Sequence, residues 1–196
     1  MFSPDHNNPY APYRELVLRQ ARAALEDGVR AGHAPKIAEK AFPEILREAR
    51  ASFVTLEKGG RLRGCIGHLE AVQPLILDIV ENTVAAALED PRFPPVTADE
   101  VPGIAISISI LTPPEAMAIH DEADLLKQLR PGVDGLILSE GRRRATFLPS
   151  VWEELPDPAE FVRHLKNKAG WHSSYWSNKI TAQRYGSIYL SESEDR

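Results

Sequence analysis

Arg61-Leu62-Arg63-Gly64-Cys65-Ile66-Gly67 holds the one cysteine of the chain, flanked by two glycines and preceded by two arginines. The run has the composition of a β-strand, and side chains on a strand alternate faces. Strict alternation predicts Arg61, Arg63 and Cys65 on one face and Leu62, Gly64 and Ile66 on the other. Two nearby arginines would favour the thiolate, the form in which cysteine acts as a nucleophile. Gly64 and Gly67 remove bulk beside the sulfur and let a ligand or another backbone approach. Cys65 is therefore a candidate nucleophile or covalent carrier, and Arg61 and Arg63 are candidate forks for a phosphate or carboxylate. A free cysteine is also a small residue that packs well, and arginine is common on exposed strands.

A catalytic base is not supplied locally. His68 lies an odd number of positions from Cys65, so it points to the opposite face unless the chain bends at Gly67. It is retained as a binding candidate. Arg92, in Asp90-Pro91-Arg92-Phe93-Pro94-Pro95, has its backbone fixed by prolines on both sides. That preorganises it for a ligand, or simply stiffens a connection. Ser107 and Ser109 give a strand a small hydroxyl-bearing face able to line a pocket, and Thr146 is a similar candidate. The six histidines are scattered, and only His68 and Glu70 have chelating spacing, so no metal site is expected. No phosphate-cradling glycine loop, nucleophile-elbow serine or dinucleotide fingerprint occurs, and the sequence names no cofactor. Arg142-Arg143-Arg144 beside a turn lacks interleaved aromatics, and a net charge of -5 argues against nucleic acid as a partner. Trp171 and Trp176 suit a packed interior better than a ligand platform.

The elements that must position these residues follow from periodicity. Tyr13, Leu16, Val17, Ala24, Leu25 and Val29 recur at helical spacing within 11–31, and Gly32 is the stop. A short helix is expected from Pro43 to about Ala49. Ser52–Leu56 and the strand from Arg61 form a hairpin around Lys58-Gly59-Gly60. A helix spans 74–88, ended by the proline segment. Residues 104–111 alternate isoleucine with Ala105, Ser107 and Ser109. A helix is expected over 121–129, strands over 136–138 and 145–148, a helix opened by the Asp157 cap and Pro158, and one last strand within 180–190. Hairpins mixed with helices indicate an α+β fold with an antiparallel sheet flanked by helices.

A chain of 196 residues, 43% apolar and 26% charged, suits a folded globular protein. One cysteine excludes an internal disulfide framework and fits a reducing, cytoplasmic setting. No secretory leader and no membrane-spanning run is read from the sequence. Residues 1–10 are expected to form a loose arm and 191–196 a solvated tail.

With LRGCIG (62–67) on a hairpin, the chain resembles the AMMECR-domain family, also named AmmeMemoRadiSam system protein A. The similarity extends to SFVTLEKGGRLRGCIG (52–67), EDPRFPPVT (89–97), ISILTPP (108–114), GVDGLIL (132–138), ATFLPSVWEELPDP (145–158) and LKNKAG (165–170), in order, across about 10–190. Ser150 departs from the glutamine more often found there. The resemblance implies one α+β domain over 11–190, with a larger lobe from both chain ends, a smaller middle lobe, and a cleft lined by the LRGCIG segment. The family name implies company with Memo-like and radical SAM proteins. It implies no reaction, because a fold does not fix a function.

Two readings stand. In the first, Cys65 works in the cleft, with Arg61, Arg63 and Arg92 holding an anionic group of a small molecule. In the second, the same cleft is a non-catalytic adaptor gripping a protein partner.

Overall fold

The computed structural model describes residues 8–193. In chain order the elements are α1 (Arg14–Ala31), α2 (Glu44–Arg47), β1 (Ser52–Lys58), β2 (Arg61–Gly67), α3 (Leu75–Leu88), β3 (Ile104–Leu111), β4 (Glu115–Met117), α4 (Glu122–Gln128), β5 (Gly135–Glu140), β6 (Arg143–Phe147), α5 (Pro158–Lys168), β7 (Thr181–Tyr185) and β8 (Ser187–Ser191). They form two units, one from the chain up to Leu111 and from Ile188 onward, the other from Thr112 to Ser187. The fold is α+β, with two four-stranded sheets in which β1 is antiparallel to β2 and β3, and β5 to β6 and β7.

The first unit carries a sheet in the order β2-β1-β3-β8. Its strands are joined locally where the chemistry demands it: Gly59 and Gly60 both have positive φ, 60° and 72°, which closes the β1–β2 hairpin tightly. One face of the sheet is aliphatic. Val54, Leu56, Ile106, Ile108 and Ile110 bury there with Val17, Leu18, Ala21 and Leu25 of α1 and Leu75, Ile76 and Ile79 of α3. Each buried Leu or Ile contributes on the order of 1.5–3 kcal/mol. α1 ends at Gly32, whose φ of 79° is the left-handed stop read from the sequence.

The second unit has the order β4-β7-β5-β6. Its core gathers Leu125, Leu136, Leu138, Phe161, Val162, Leu165 and Trp171. Asp157 caps α5 by accepting the Glu160 N–H at 2.9 Å, and Pro158 fills the first turn. Phe161 of that helix stacks on Trp152 with centroids 3.8 Å apart. Lys166 is buried and its Nζ donates to Glu122 at 2.7 Å.

Three expectations need correction. The single strand expected within 180–190 is two strands, β7 and β8, in different sheets, separated at Gly186. The expected arm and tail reach too far inward. Tyr10 is buried in the first core, and Glu192 pairs with Arg22 and accepts the Ile106 N–H at 2.9 Å. The remainder of both segments, 1–7 and 194–196, lies outside the described residues. No described helix is long and apolar enough to cross a membrane.

Candidate functional site

The register of the first sheet places the cysteine. Cys65 pairs with Thr55, and Thr55 pairs with Ser107. The next row toward the β3 C-terminus is Gly67, Phe53 and Ser109. Cross-strand partners share a face, so Cys65, Thr55, Ser107, Phe53 and Ser109 all lie on the face opposite the aliphatic core. The Thr55 hydroxyl donates to Cys65 Sγ at 3.3 Å.

The alternation does not extend to Arg61. Leu56 pairs with Gly64 while Glu57 pairs with Leu62, so Arg63 is an extra residue in β2. A bulge of this kind shifts every residue beyond it to the other face. Arg61 pairs with Lys58, which pairs with Ile104, and so sits on the core side of the register. Leu62 takes the place beside the cysteine's face. The expected cationic face of Arg61, Arg63 and Cys65 is therefore broken at the bulge. The Arg61 side chain is exposed, with no hydrogen bond or ion pair among the described residues.

Arg63 is committed elsewhere. Its Nε and Nη2 donate to the two oxygens of Glu100 at 3.2 and 2.9 Å, and its side chain is only 11% exposed. Lys58 Nζ adds a third donor to Glu100 at 3.0 Å. The Arg63 fork, then Lys58, then the Thr97 N–H hold the Glu100 carboxyl well below the usual carboxylate range.

Asp90 brings the remaining arginine to the cysteine. Its side chain is 2% exposed and accepts four hydrogen bonds: Arg92 Nε at 2.9 Å, Arg92 Nη2 at 2.6 Å, Arg92 N–H at 3.1 Å and the Cys65 N–H at 2.9 Å. The Arg92 fork is the main reason its carboxyl stays far below the usual range, against the opposing cost of burial. Arg92 Nη2 also reaches the Cys65 carbonyl at 3.4 Å. Asp90 and Arg92 thus occupy the outward backbone donor and acceptor of Cys65 on an edge strand, as a neighbouring strand would. Arg92 is correspondingly a stronger base than free arginine, chiefly through Asp90, with a smaller electrostatic contribution from Cys65. Its side chain remains 54% exposed, and Nη1 makes no hydrogen bond among the described residues. Phe93 lies between the two arginines, with the Arg92 and Arg63 guanidinium carbons 5.6 and 6.0 Å from its ring centroid.

The other expected residues divide. Gly64 is needed for packing: a Cβ there would collide with the Ala86 carbonyl of α3. Gly67 is pressed against Phe53 and the Ser52 carbonyl in the same way. Both glycines admit protein backbone or a neighbouring ring. His68 lies beyond the end of β2, where its N–H donates to Ser52 O at 3.0 Å and its Nδ1 meets Asp78 Oδ1 at 2.7 Å. Ser52 is on the core side of the register, so His68 faces away from Cys65 as the spacing predicts. Thr146 is in the second unit, where its hydroxyl meets the Tyr185 hydroxyl at 2.8 Å; Tyr185 donates to Phe147 O at 3.0 Å. Burial pushes the Tyr185 phenol up to about 12. Arg142, Arg143 and Arg144 are exposed at the β5–β6 turn. Trp171 is in the second core, as expected.

Thr55, Asp90 and Glu100 were not singled out from the sequence. Thr55 carried a usable signal, since it alternates with Val54 and Leu56 on a strand. Asp90 and Glu100 carried none, because the contacts that bring them to this strand, Asp90 to Cys65 and Glu100 to Arg63, span 25 and 37 residues. Among the described residues, no group of three or more His, Cys, Asp or Glu side chains could hold a metal ion. The chemistry on offer is a thiol, three hydroxyls in two rows, and one partly exposed guanidinium.

Comparison with known proteins gives the lineage. The AMMECR1 family profile matches residues 18–190. A protein of Methanothermobacter thermautotrophicus is 42% identical over 166 residues, covering 82% of this chain and 86% of its own length. Protein MJ0810 of Methanocaldococcus jannaschii is 38% identical over 185 residues, covering 92% and 90%. The crystal structure of the uncharacterized protein PH0010 from Pyrococcus horikoshii superimposes with a TM-score of 0.78 at 30% identity, covering 91% of this chain and 90% of that one. A match over most of the chain, in sequence and in fold, establishes that the chain belongs to the AMMECR1 family.

Proposed function

We propose that the polar face of the first unit's sheet is a thiol-centred site for a small anionic molecule. Cys65 is the reactive group, and Arg92 Nη1 receives the anion. Thr55 supplies a hydroxyl beside the sulfur, and Ser107 and Ser109, one strand further on, extend the same polar face. The carrying observation is the Asp90 carboxylate, which grips the Cys65 N–H and the Arg92 guanidinium together and so fixes a cation beside the thiol. Such preorganisation removes the entropic cost of placing a flexible arginine at the moment of binding. Arg63, tied to Glu100, shapes the segment around Phe93, and Arg61 takes no part. Memo-like and radical SAM proteins, named with this family, are the proposed partners, and a cytoplasmic reaction sequence shared with them is the proposed setting.

Protection measurements test the site. Millimolar phosphate or a small carboxylate slows carboxamidomethylation of Cys65, and Arg92→Gln abolishes the protection. Equal alkylation rates with and without every anion tried would sink the reading.

The exposed apolar side chains Leu62, Leu69 and Val72, on β2 and the connection after it, favour a second reading. In it the same region is an adaptor surface for a protein partner. Pull-down of a partner that survives Cys65→Ser and is lost with Leu69→Asp and Val72→Asp separates the two.

A further inference from the structure

A second reactive group lies on the other side of the same strand. Asp78, on α3, is fully buried at the interface between helix and sheet. A lone carboxylate there would be costly, and this one is surrounded by donors. Its Oδ2 accepts the Ser52 N–H at 2.9 Å, the Ser52 hydroxyl at 2.6 Å and the Asn82 side-chain amide at 2.8 Å. Its Oδ1 faces His68 Nδ1 at 2.7 Å and the Gln73 amide at 3.4 Å. The His68 side chain is 47% exposed. It is the most exposed group that Asp78 contacts directly.

A carboxylate already receiving these donors accepts from the imidazole, which places the proton on Nδ1 and leaves Nε2 with its lone pair. A buried carboxylate behind an exposed imidazole fixes the tautomer and orientation of the ring and balances the imidazolium when it forms. Holding Ser52 to α3 needs only Ser52, Asn82 and Asp78. Extending the network to an exposed ring adds a basic nitrogen.

We infer that His68 is a proton-accepting catalytic residue, positioned by Asp78, that activates a water or hydroxyl group toward an activated acyl substrate such as an ester or thioester. In the step, the O–H bond of the nucleophile breaks and its proton passes to Nε2. The freed electron pair forms the new C–O bond at the acyl carbonyl. The C–O or C–S bond to the leaving group then breaks, and the proton on Nε2 passes to that group or to solvent. The site is independent of the thiol chemistry proposed above.

Two measurements test it, both in a Cys65→Ser background so that thiol acylation does not contribute. In two-bond 1H–15N correlation spectra, the neutral His68 ring is expected as the Nδ1–H tautomer, assigned by its loss in His68→Gln. Hydrolysis of p-nitrophenyl acetate by the folded protein is expected to fall about 100-fold or more in His68→Gln, the lower end of what a positioned base contributes. Asp78→Asn is expected to lose the tautomer preference if it folds, but the test does not depend on it. An Nε2–H tautomer, or ester hydrolysis unchanged in His68→Gln, overturns the inference.

Discussion

The Asp90 carboxylate accepts the main-chain N–H of Cys65 at 2.9 Å across 25 residues of sequence. The bond ties the edge strand to the proline-stiffened segment, and through Arg92 it holds a cation at the main chain of Cys65. Asp90→Asn keeps the shape but removes the charge that holds Arg92. We expect a loss of about 2–3 kcal/mol, typical of a buried charge-assisted hydrogen bond left half made. Urea unfolding monitored by tryptophan fluorescence measures it.

The carboxyls of Asp90 and Glu100 both have folded-state pKa values well below the usual carboxylate range, chiefly through their arginine partners Arg92 and Arg63. A depressed carboxyl contributes stability above its unfolded value, near 4, and loses it as the pH falls toward the folded one. Melting temperature is therefore expected to be flat from pH 7 to about 5 and to fall below pH 4. The fall should be smaller in Asp90→Asn and in Glu100→Gln. An equal fall in all three proteins would assign the acid sensitivity to other groups.

Gly64→Ala puts a methyl group into the Ala86 carbonyl, which belongs to helix backbone and cannot swing away. Overpacking of this kind costs about 1–3 kcal/mol. Gly103→Ala, where a Cβ meets open space, is the control and should change stability by less than about 0.5 kcal/mol. Comparison of urea midpoints at a constant m-value decides it.

Tyr185 keeps its phenol proton to about pH 12 because it is buried. A raised pKa gives stability that is intact below the unfolded value, near 10, and lost as the pH climbs through about 12. Spectrophotometric titration of the folded chain should show one of its five tyrosines ionising last, and Tyr185→Phe should remove that phase.

The element plan was legible where periodicity was strong. Ile104–Leu111 alternates isoleucine with small polar residues, and the structure keeps that alternation in the pairings of Ile106, Ser107, Ile108 and Ser109. The face of Cys65 was legible for the same reason. The face of Arg61 was not, because one extra residue at Arg63 inverts the alternation, and no residue type marks a bulge whose extra residue is an arginine. The role of Gly64 was half legible: glycine announces close approach, but whether helix or ligand approaches depends on Ala86, 22 positions on. The break between β7 and β8 was missed because Thr181–Ser191 is uniformly strand-like apart from Gly186, which lets one run serve two sheets.

The proposed site requires that Arg92, fixed by Asp90, present a positive charge to molecules that approach Cys65. Its most direct test compares alkylation of this single cysteine by iodoacetate, which is anionic, and iodoacetamide, which is neutral, in the folded and urea-unfolded chain. The iodoacetate-to-iodoacetamide rate ratio should be about threefold higher in the folded protein, the attraction expected of a partly exposed, partly compensated charge. It should return to the unfolded ratio in Arg92→Gln. A folded ratio equal to the unfolded one, or a raised ratio that survives Arg92→Gln, would mean that Arg92 presents no charge at the thiol.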